Sequence, residues 1–222
     1  DRRAVRVRAA RRLAALGDPV DVLRLLVEAG LDRSVWGQFV RRLSEITPDR
    51  RDEMLDLLYG LSKERIERDG TLAMVLAMVV GDRALRPSGR TERLIRTGLN
   101  ELLARQMPDT ATDRFLLEVA RFVGHRVLRE YPEARAIAQR LLPGTVEFET
   151  AAASRVGASS SLLIDFAVVN LLAGDQQGAI DAATLITDEI YPVLAHRRDA
   201  LLALSHTIRG DLQSADRALA LI

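Results

Sequence analysis

The sequence predicts an all-α protein of about a dozen helices, stacked as antiparallel hairpins. Three observations lead there. The stretch from Ala167 to Ile222 carries one pattern twice, offset by 36 residues, and self-similarity at such a period marks a stack of helix pairs. Aromatic residues make up only 4% of the chain, while Ala, Leu and Arg dominate. That favours helices with thin, small-residue interfaces over sheets rich in aromatic and β-branched side chains. Finally, apolar residues recur at helical spacing between short punctuations of Gly, Pro, Asp and Thr.

The first copy reads Ala167, Gly174, Asp175, Gln177, Ala179, Ala182, Leu185, Ile186. The second reads Ala203, Gly210, Asp211, Gln213, Ala215, Ala218, Leu221, Ile222. Glycine takes the left-handed conformation that ends a helix at least steric cost. The aspartate after it can accept a backbone N–H and cap the next helix. Each copy therefore reads helix, tight turn, helix, and the alanines let the two helices approach closely. The pattern resembles the tetratricopeptide repeat, with a small residue seven before the turn glycine (Ala167, Ala203) and an alanine five after it (Ala179, Ala215). It departs from that family at Asn170 and His206, where the family carries an aromatic, and at Pro192, which falls one residue late. The period also exceeds the family's 34 by two residues. A plain antiparallel hairpin with a Gly-Asp corner is the competing reading.

Along the chain, Arg2 to Leu16 has Val5, Ala9, Leu13 and Leu16 on one helical face, and Gly17-Asp18-Pro19 stops it. Val20 to Ala29 follows, ending at Gly30. The run from Arg8 through Leu-Gly-Asp-Pro19 into Val22-Leu23-Arg-Leu25-Leu26 resembles one unit of a HEAT-like repeat. A third helix, about Arg33 to Ile46, presents Val35, Trp36, Phe39, Val40, Leu43 and Ile46. Thr47-Pro48 starts a fourth, which the pattern carries on through Lys63 to Asp69 as far as Gly70. Thr71 is expected to cap Leu72 to Leu85, whose run Leu72 to Val80 reads as a buried core helix. Arg86 to Arg90 reads as a loop, and Thr91 as the cap of a helix to about Met107. Ala111 to Tyr131 reads as one long helix. Pro132 opens a shorter one to Leu142, closed by Pro143-Gly144. The domain reading is an N-terminal HEAT-like region over 1–143, an irregular connector over 144–160 (a short helix at Thr150 to Ser154 is equally open) and two hairpins over 161–222. Together the resemblances imply an α-solenoid of HEAT- and tetratricopeptide-like hairpins.

Composition excludes several classes. There is no cysteine, hence no disulfide or thiolate metal site. The net charge is +1, so no global field attracts nucleic acid. No run reaches the roughly 18 apolar residues of a membrane span. Lys63 is the only lysine, which points to GC-rich coding and a bacterial source. The chain starts at Asp1, so an upstream anchor or partner domain stays open, and the expected location is cytoplasmic, tethered to the inner membrane if such an anchor exists.

No constellation announces catalysis, and no cofactor, metal or small-molecule substrate is expected. His125, His196 and His206 lack partners at ligand spacing. Carboxylates at Asp52, Glu53, Asp56, Glu64, Glu67 and Asp69 are interleaved with Arg50, Arg51, Arg65 and Arg68, as on a solvated helix face. Phosphate-cradling loops and nucleophile elbows are absent. Arg8, Arg11 and Arg12 share a face that is either solvated or a contact for an anionic surface. The residues after Thr145 lean acidic. Tetratricopeptide proteins that grip a peptide carboxylate use set positions on the first helix of each repeat. Here those positions are mostly apolar, which speaks against a carboxylate clamp. Ile164, Asp165, Val168, Leu171, Arg197, Leu201 and Leu204 are instead the candidate groove for a partner helix, unless other helices of this chain cover them.

The expectation is thus a non-enzymatic helical-repeat scaffold that works by protein–protein contact within a larger bacterial assembly. The segment Arg51 to Ile66, after a HEAT-like start and before tetratricopeptide-like repeats, is similar to cytosolic domains of inner-membrane subunits of Pel-type exopolysaccharide export, which implies a membrane-associated complex as partner. A regulatory or sensor domain of a multidomain signalling ATPase or transcriptional regulator is the alternative.

Overall fold

The computed structural model describes residues 2–13, 17–42, 46, 48–81, 89–153, 162–188 and 194–222. Among these the chain forms thirteen helices and no strand. It divides into two compact units, Asp1–Arg129 and Glu130–Ile222. The division comes before the helix that follows Arg129, not in the 144–160 stretch. Arg129 itself, at φ 63, occupies the left-handed position where a helix end usually carries glycine.

The first unit holds α1 (Arg2–Leu13), α2 (Pro19–Glu28), α3 (Asp32–Arg42), α4 (Pro48–Tyr59), α5 (Lys63–Arg68), α6 (Gly70–Gly81), α7 (Gly89–Ala104) and α8 (Ala111–Val127). Asp18 caps α2, accepting from the Val20 and Asp21 amides at 2.9 and 3.2 Å. Pro19 fills the first helical position, where a missing N–H costs nothing. Gly30, at φ 70, ends the helix. The core is α6, whose Leu72 to Ala77 are fully buried. It packs on α3, α4, α5, α7 and α8. Its approach to α7 is close because Gly98 faces Ala73; a Cβ on Gly98 would overlap the Ala73 methyl. Trp36 stacks on Phe39 and donates its indole N–H to the Leu116 carbonyl at 2.8 Å, satisfying the one polar atom of a buried ring. At the far end of α7, Arg121 donates to the Leu102 carbonyl at 2.8 Å and the Arg105 carbonyl at 3.2 Å, and pairs with Glu118 at 2.6 Å. A cation there satisfies the last carbonyls of a helix.

Several boundaries differ from the sequence reading. The fourth helix does not run on to Gly70. It ends at Tyr59, and Ser62 starts α5 by accepting from the Arg65 amide at 3.2 Å. The break brings Ile66 into the core. Asp69 caps α6, taking the Thr71 amide at 3.0 Å and its hydroxyl at 2.5 Å, so Thr71 is a donor and not the cap. α7 begins at Gly89, ahead of Thr91, and α8 ends at Val127, short of Tyr131. Val5 and Leu13 on α1 remain exposed. The expectations placed on Leu16, Leu43, Thr47, Arg86, residues 154–161 and Pro192 lie outside the described residues.

The second unit holds α9 (Tyr131–Ala153), α10 (Leu162–Leu172), α11 (Gln176–Thr184), α12 (Ala195–Arg209) and α13 (Leu212–Leu219). α9 passes straight through Pro143-Gly144, where the sequence predicts its end. Ala134, Ile137, Ala138, Leu141 and Thr145 form a buried stripe on both sides of the proline, and the Thr145 hydroxyl donates to the Leu141 carbonyl at 2.9 Å. Side-chain burial along that stripe outweighs the local cost of proline, about 3 kcal/mol. α10 packs on α9, α11 and α12; α12 packs on α11 and α13.

Candidate partner-binding surface

The two hairpins of the second unit share one corner. Gly174 and Gly210 sit at φ 81 and 79. In the first, the Asp175 amide donates to the Asn170 carbonyl at 2.8 Å and Gly174 to Leu171 at 3.0 Å. In the second, Asp211 donates to His206 at 2.9 Å and Gly210 to Thr207 at 3.0 Å. These two bonds are the Schellman closure of a helix end. The Asp175 and Asp211 carboxylates then accept from the amides of Gly178 at 2.9 Å and Ser214 at 3.1 Å, capping α11 and α13. The positions where a tetratricopeptide aromatic would stand are polar and turn towards the corner. Asn170 is buried and donates to the Gly178 carbonyl at 3.1 Å, and His206 Nδ1 lies 3.5 Å from the Asp211 carboxylate.

These corners set α10 beside α12. Val168 and Leu172 on α10 correspond, 36 residues on, to Leu204 and Ile208 on α12. Leu172, Leu204 and Ile208 are 54%, 49% and 53% exposed, and Val168, Leu171 and Leu201 are half-buried. Arg197 is exposed and Asp165 half-buried. Of the seven groove residues expected from sequence, Ile164 is the exception. It is buried in the unit and cannot meet a partner. α10 is apolar nearly all round, so its sequence carries no period to separate the inner face from the outer. Leu172 was missed for the same reason, and Ile208 on α12 with it, although the 36-residue offset pairs the two.

A concave site in this unit, among the described residues, lies elsewhere. A cleft of about 210 Å³ is lined by Ala138, Gln139, Phe166, Asn170, Asp175 and Gly178, among others, and none of the expected groove residues contributes. Asp175 on its wall is held by Arg135 at 3.0 Å. The first unit has a larger cleft of about 580 Å³, with Trp36, Gln38, Thr71, Arg105, Leu116 and Leu117 in its lining. Its cation, Arg105, already faces Glu101 at 2.7 Å and Asp69 at 3.7 Å.

The interleaved charges of the first unit do more than decorate a face. Arg50 reaches from α4 to Asp18 at 2.6 Å and Asp21 at 3.3 Å, and also pairs with Glu53. Burial pushes the Asp18 carboxyl up, but the Arg50 hydrogen bond and the amides of Asp21 and Val20 outweigh it and leave its pKa below the ordinary value. Arg65 on α5 pairs with Asp32 at 2.5 Å and donates to the Val27 carbonyl; the Asp32 hydrogen bond raises its pKa. The contacts of Arg50 with Asp18 and Asp21 and of Arg65 with Asp32 tie separate elements together, while Arg50–Glu53 is a pair along α4. On α1, Arg8 and Arg12 are exposed, while Arg6 pairs with Glu28 at 3.2 Å; α1 also carries Arg11. His125 is buried and His196 exposed. Among the described residues no group of three or more His, Asp or Glu side chains could hold a metal ion, and no helix is long and apolar enough to cross a membrane.

Compared with known proteins, the chain matches no family model, no curated protein and no solved structure.

Proposed function

We propose that the chain is a non-enzymatic helical-repeat scaffold of the HEAT- and tetratricopeptide-like kind. It works by presenting the α10–α12 strip to a helical segment of another protein in a larger assembly. The observation that carries this is the exposure of Leu172, Leu204 and Ile208 at equivalent places on two helices in contact. Large apolar residues exposed on two helices in contact, with Asp165 and Arg197 on the same helices, suit an amphipathic helix that lays its apolar face across them. The test is affinity capture from source cells with the Leu204→Asp/Ile208→Asp chain beside the wild type. The double variant should lose the captured partner and keep its melting midpoint. Capture that is unchanged by the two charges ends the reading.

A second reading places the chain in the cytoplasm beside the inner membrane, in an assembly of the Pel-type export class. It is supported by the Arg51 to Ile66 segment and by the surface of α1, where Arg8 and Arg12 are exposed together with Val5 and Leu13. Cations beside exposed apolar side chains suit a helix that lies against anionic lipid. Sedimentation with anionic and with neutral vesicles distinguishes it, since only anionic vesicles should carry the chain down, and Arg8→Glu/Arg12→Glu should abolish that.

A further inference from the structure

The first unit carries a cleft of about 370 Å³ between α5 and α7. Four cations line it, Lys63 from α5 and Arg90, Arg93 and Arg96 from α7, against one carboxylate, Glu67. The whole chain has a net charge of only +1, so positive charge is concentrated here. Arg90, Arg93, Thr97 and Asn100 follow one another at steps of three and four, which sets them on one stripe of α7. That helix packs on α5, where Lys63 and Glu67 stand one turn apart. Thr97 and Asn100 add a hydroxyl and an amide to the lining. Two of the cations have a carboxylate near them, Lys63 with Glu67 at 3.4 Å and Arg96 with Glu92 at 3.6 Å. The exposed side chains of Arg90 and Arg93 make no ion pair or hydrogen bond among the described residues. Their position is unfavourable for the chain by itself. Both lie within the first five residues of α7, where the positive end of the helix dipole disfavours a cation. Arg90, Arg93 and Arg96 also recur every three residues, a spacing at which like charges repel along a helix. A bound anion would offset both effects.

We propose that this cleft binds a small ligand bearing two or more phosphate groups, held by Arg90, Arg93 and Lys63. Arginine presents a planar fork of donors that matches phosphate oxygens in pairs, and lysine a compact point charge. Cations on two helices in contact suit an anion that carries charge at more than one place. The volume, near the lower end of the range for ligand sites, suits a small molecule. Thr97 and Asn100 supply neutral hydrogen-bonding partners for the part of the ligand that bears the phosphates. The cleft lies wholly within the first unit, and its occupancy does not depend on the α10–α12 strip of the second.

The probe is inorganic pyrophosphate, titrated into the purified chain by calorimetry at about 0.15 M salt, where isolated exposed charges are screened. Saturable one-to-one binding is expected, with a melting midpoint that rises as pyrophosphate is added. Arg90→Gln/Arg93→Gln should weaken binding at least about tenfold, and the midpoint of that variant without ligand should hold or rise, because the two cations oppose their own helix. Lys63→Gln, on the facing helix, should weaken binding as well, and it keeps the cleft testable if the double variant does not fold. Arg8→Gln/Arg12→Gln removes the same charge from exposed places on α1 and should leave binding unchanged. A soluble phosphate compound and a lipid headgroup share this chemistry. Phosphatidylcholine vesicles containing phosphatidylinositol bisphosphate tell them apart: sedimentation with the vesicles that is lost in Arg90→Gln/Arg93→Gln assigns the headgroup, and pyrophosphate binding without sedimentation assigns a soluble ligand. Absent pyrophosphate binding, or binding indifferent to Arg90 and Arg93, overturns the proposal. Binding weakened equally by Arg8→Gln/Arg12→Gln overturns it too, since net charge alone is then at work, and binding that ignores Lys63→Gln belongs to one helix face and not to the cleft. So does a single-stranded DNA oligonucleotide that binds through these arginines and that excess pyrophosphate does not displace, since the ligand is then a nucleic-acid backbone.

Discussion

The hairpin α10–α11 and the hairpin α12–α13 turn the same corner and live in different surroundings. Their glycines differ by two degrees in φ, their closing hydrogen bonds have the same register, and their aspartates cap in the same way. Yet Ile186 is buried and Ile222, its counterpart, is open. The corner is a local property of two residues, a glycine free to go left-handed and a short acceptor after it. Burial is decided by whichever helix lies alongside, and the hairpin's own sequence does not contain that helix. Ile at both positions shows how little residue type alone says about exposure.

The sharpest way to break this comparison is to place a charge at both ends of it. Ile186→Asp buries an unpaired carboxylate between α11 and α12, and should cost about 3 kcal/mol or more. Ile222→Asp on the open flank should fall within about 0.5 kcal/mol of wild type. Thermal melting followed by circular dichroism reads both. Equal losses would mean that the two flanks are equally covered in solution, and the asymmetry between the hairpins would vanish.

What could be read from sequence follows the same division between local and tertiary causes. The all-α class, the caps at Asp175 and Asp211, the glycine ends at Gly30, Gly174 and Gly210 and the buried character of the run Leu72 to Val80, in which only Val80 is half-buried, rest on neighbours within a few residues, and the structure has them. Pro143 is also a local signal, but the stripe from Ala134 to Thr145 overrides it. Ser62 hides a helix break because the charged run from Lys63 to Asp69 continues the helical pattern without interruption. Arg50 and Arg65 read as members of surface pairs three or four residues apart, and only the fold brings Asp18 and Asp32 to them. In the candidate surface, six of seven residues are at least partly accessible. Ile164 is the failure, since a helix that is apolar on every side has no sequence mark for its inner face.

A finer test asks whether the corners are equivalent in energy as well as in shape. A Cβ added at Gly174 or at Gly210 meets nothing within 4 Å, so alanine there suffers only from the left-handed backbone. Gly174→Ala and Gly210→Ala should each lower stability by about 1–2 kcal/mol, and by the same amount. A large difference between them, in urea titrations of the two variants, would show that one corner is held by something other than its backbone.

The smallest effect concerns the carboxylates beside those glycines. Asp175 caps α11 and also takes Arg135 from α9 at 3.0 Å, whereas Asp211 caps α13 alone and stands beside His206 at 3.5 Å. Asp175→Ala should therefore destabilise more than Asp211→Ala, by the loss of an interhelical tie on top of a cap. Hydrogen bonds from Ser214, and after them the charges of His206 and Arg217, hold the Asp211 carboxyl below its ordinary value of 3.8. A carboxyl whose pKa is lower folded than unfolded stabilises the fold fully above the unfolded value and loses that contribution as pH falls through the folded one. The gap in melting midpoint between wild type and Asp211→Ala should accordingly persist as pH falls from neutral to the ordinary carboxylate range and close only below it. A gap that closes while the pH is still well above 3.8 would mean that the aspartate is not the acceptor at this corner, and the likeness of the two caps would be one of sequence only.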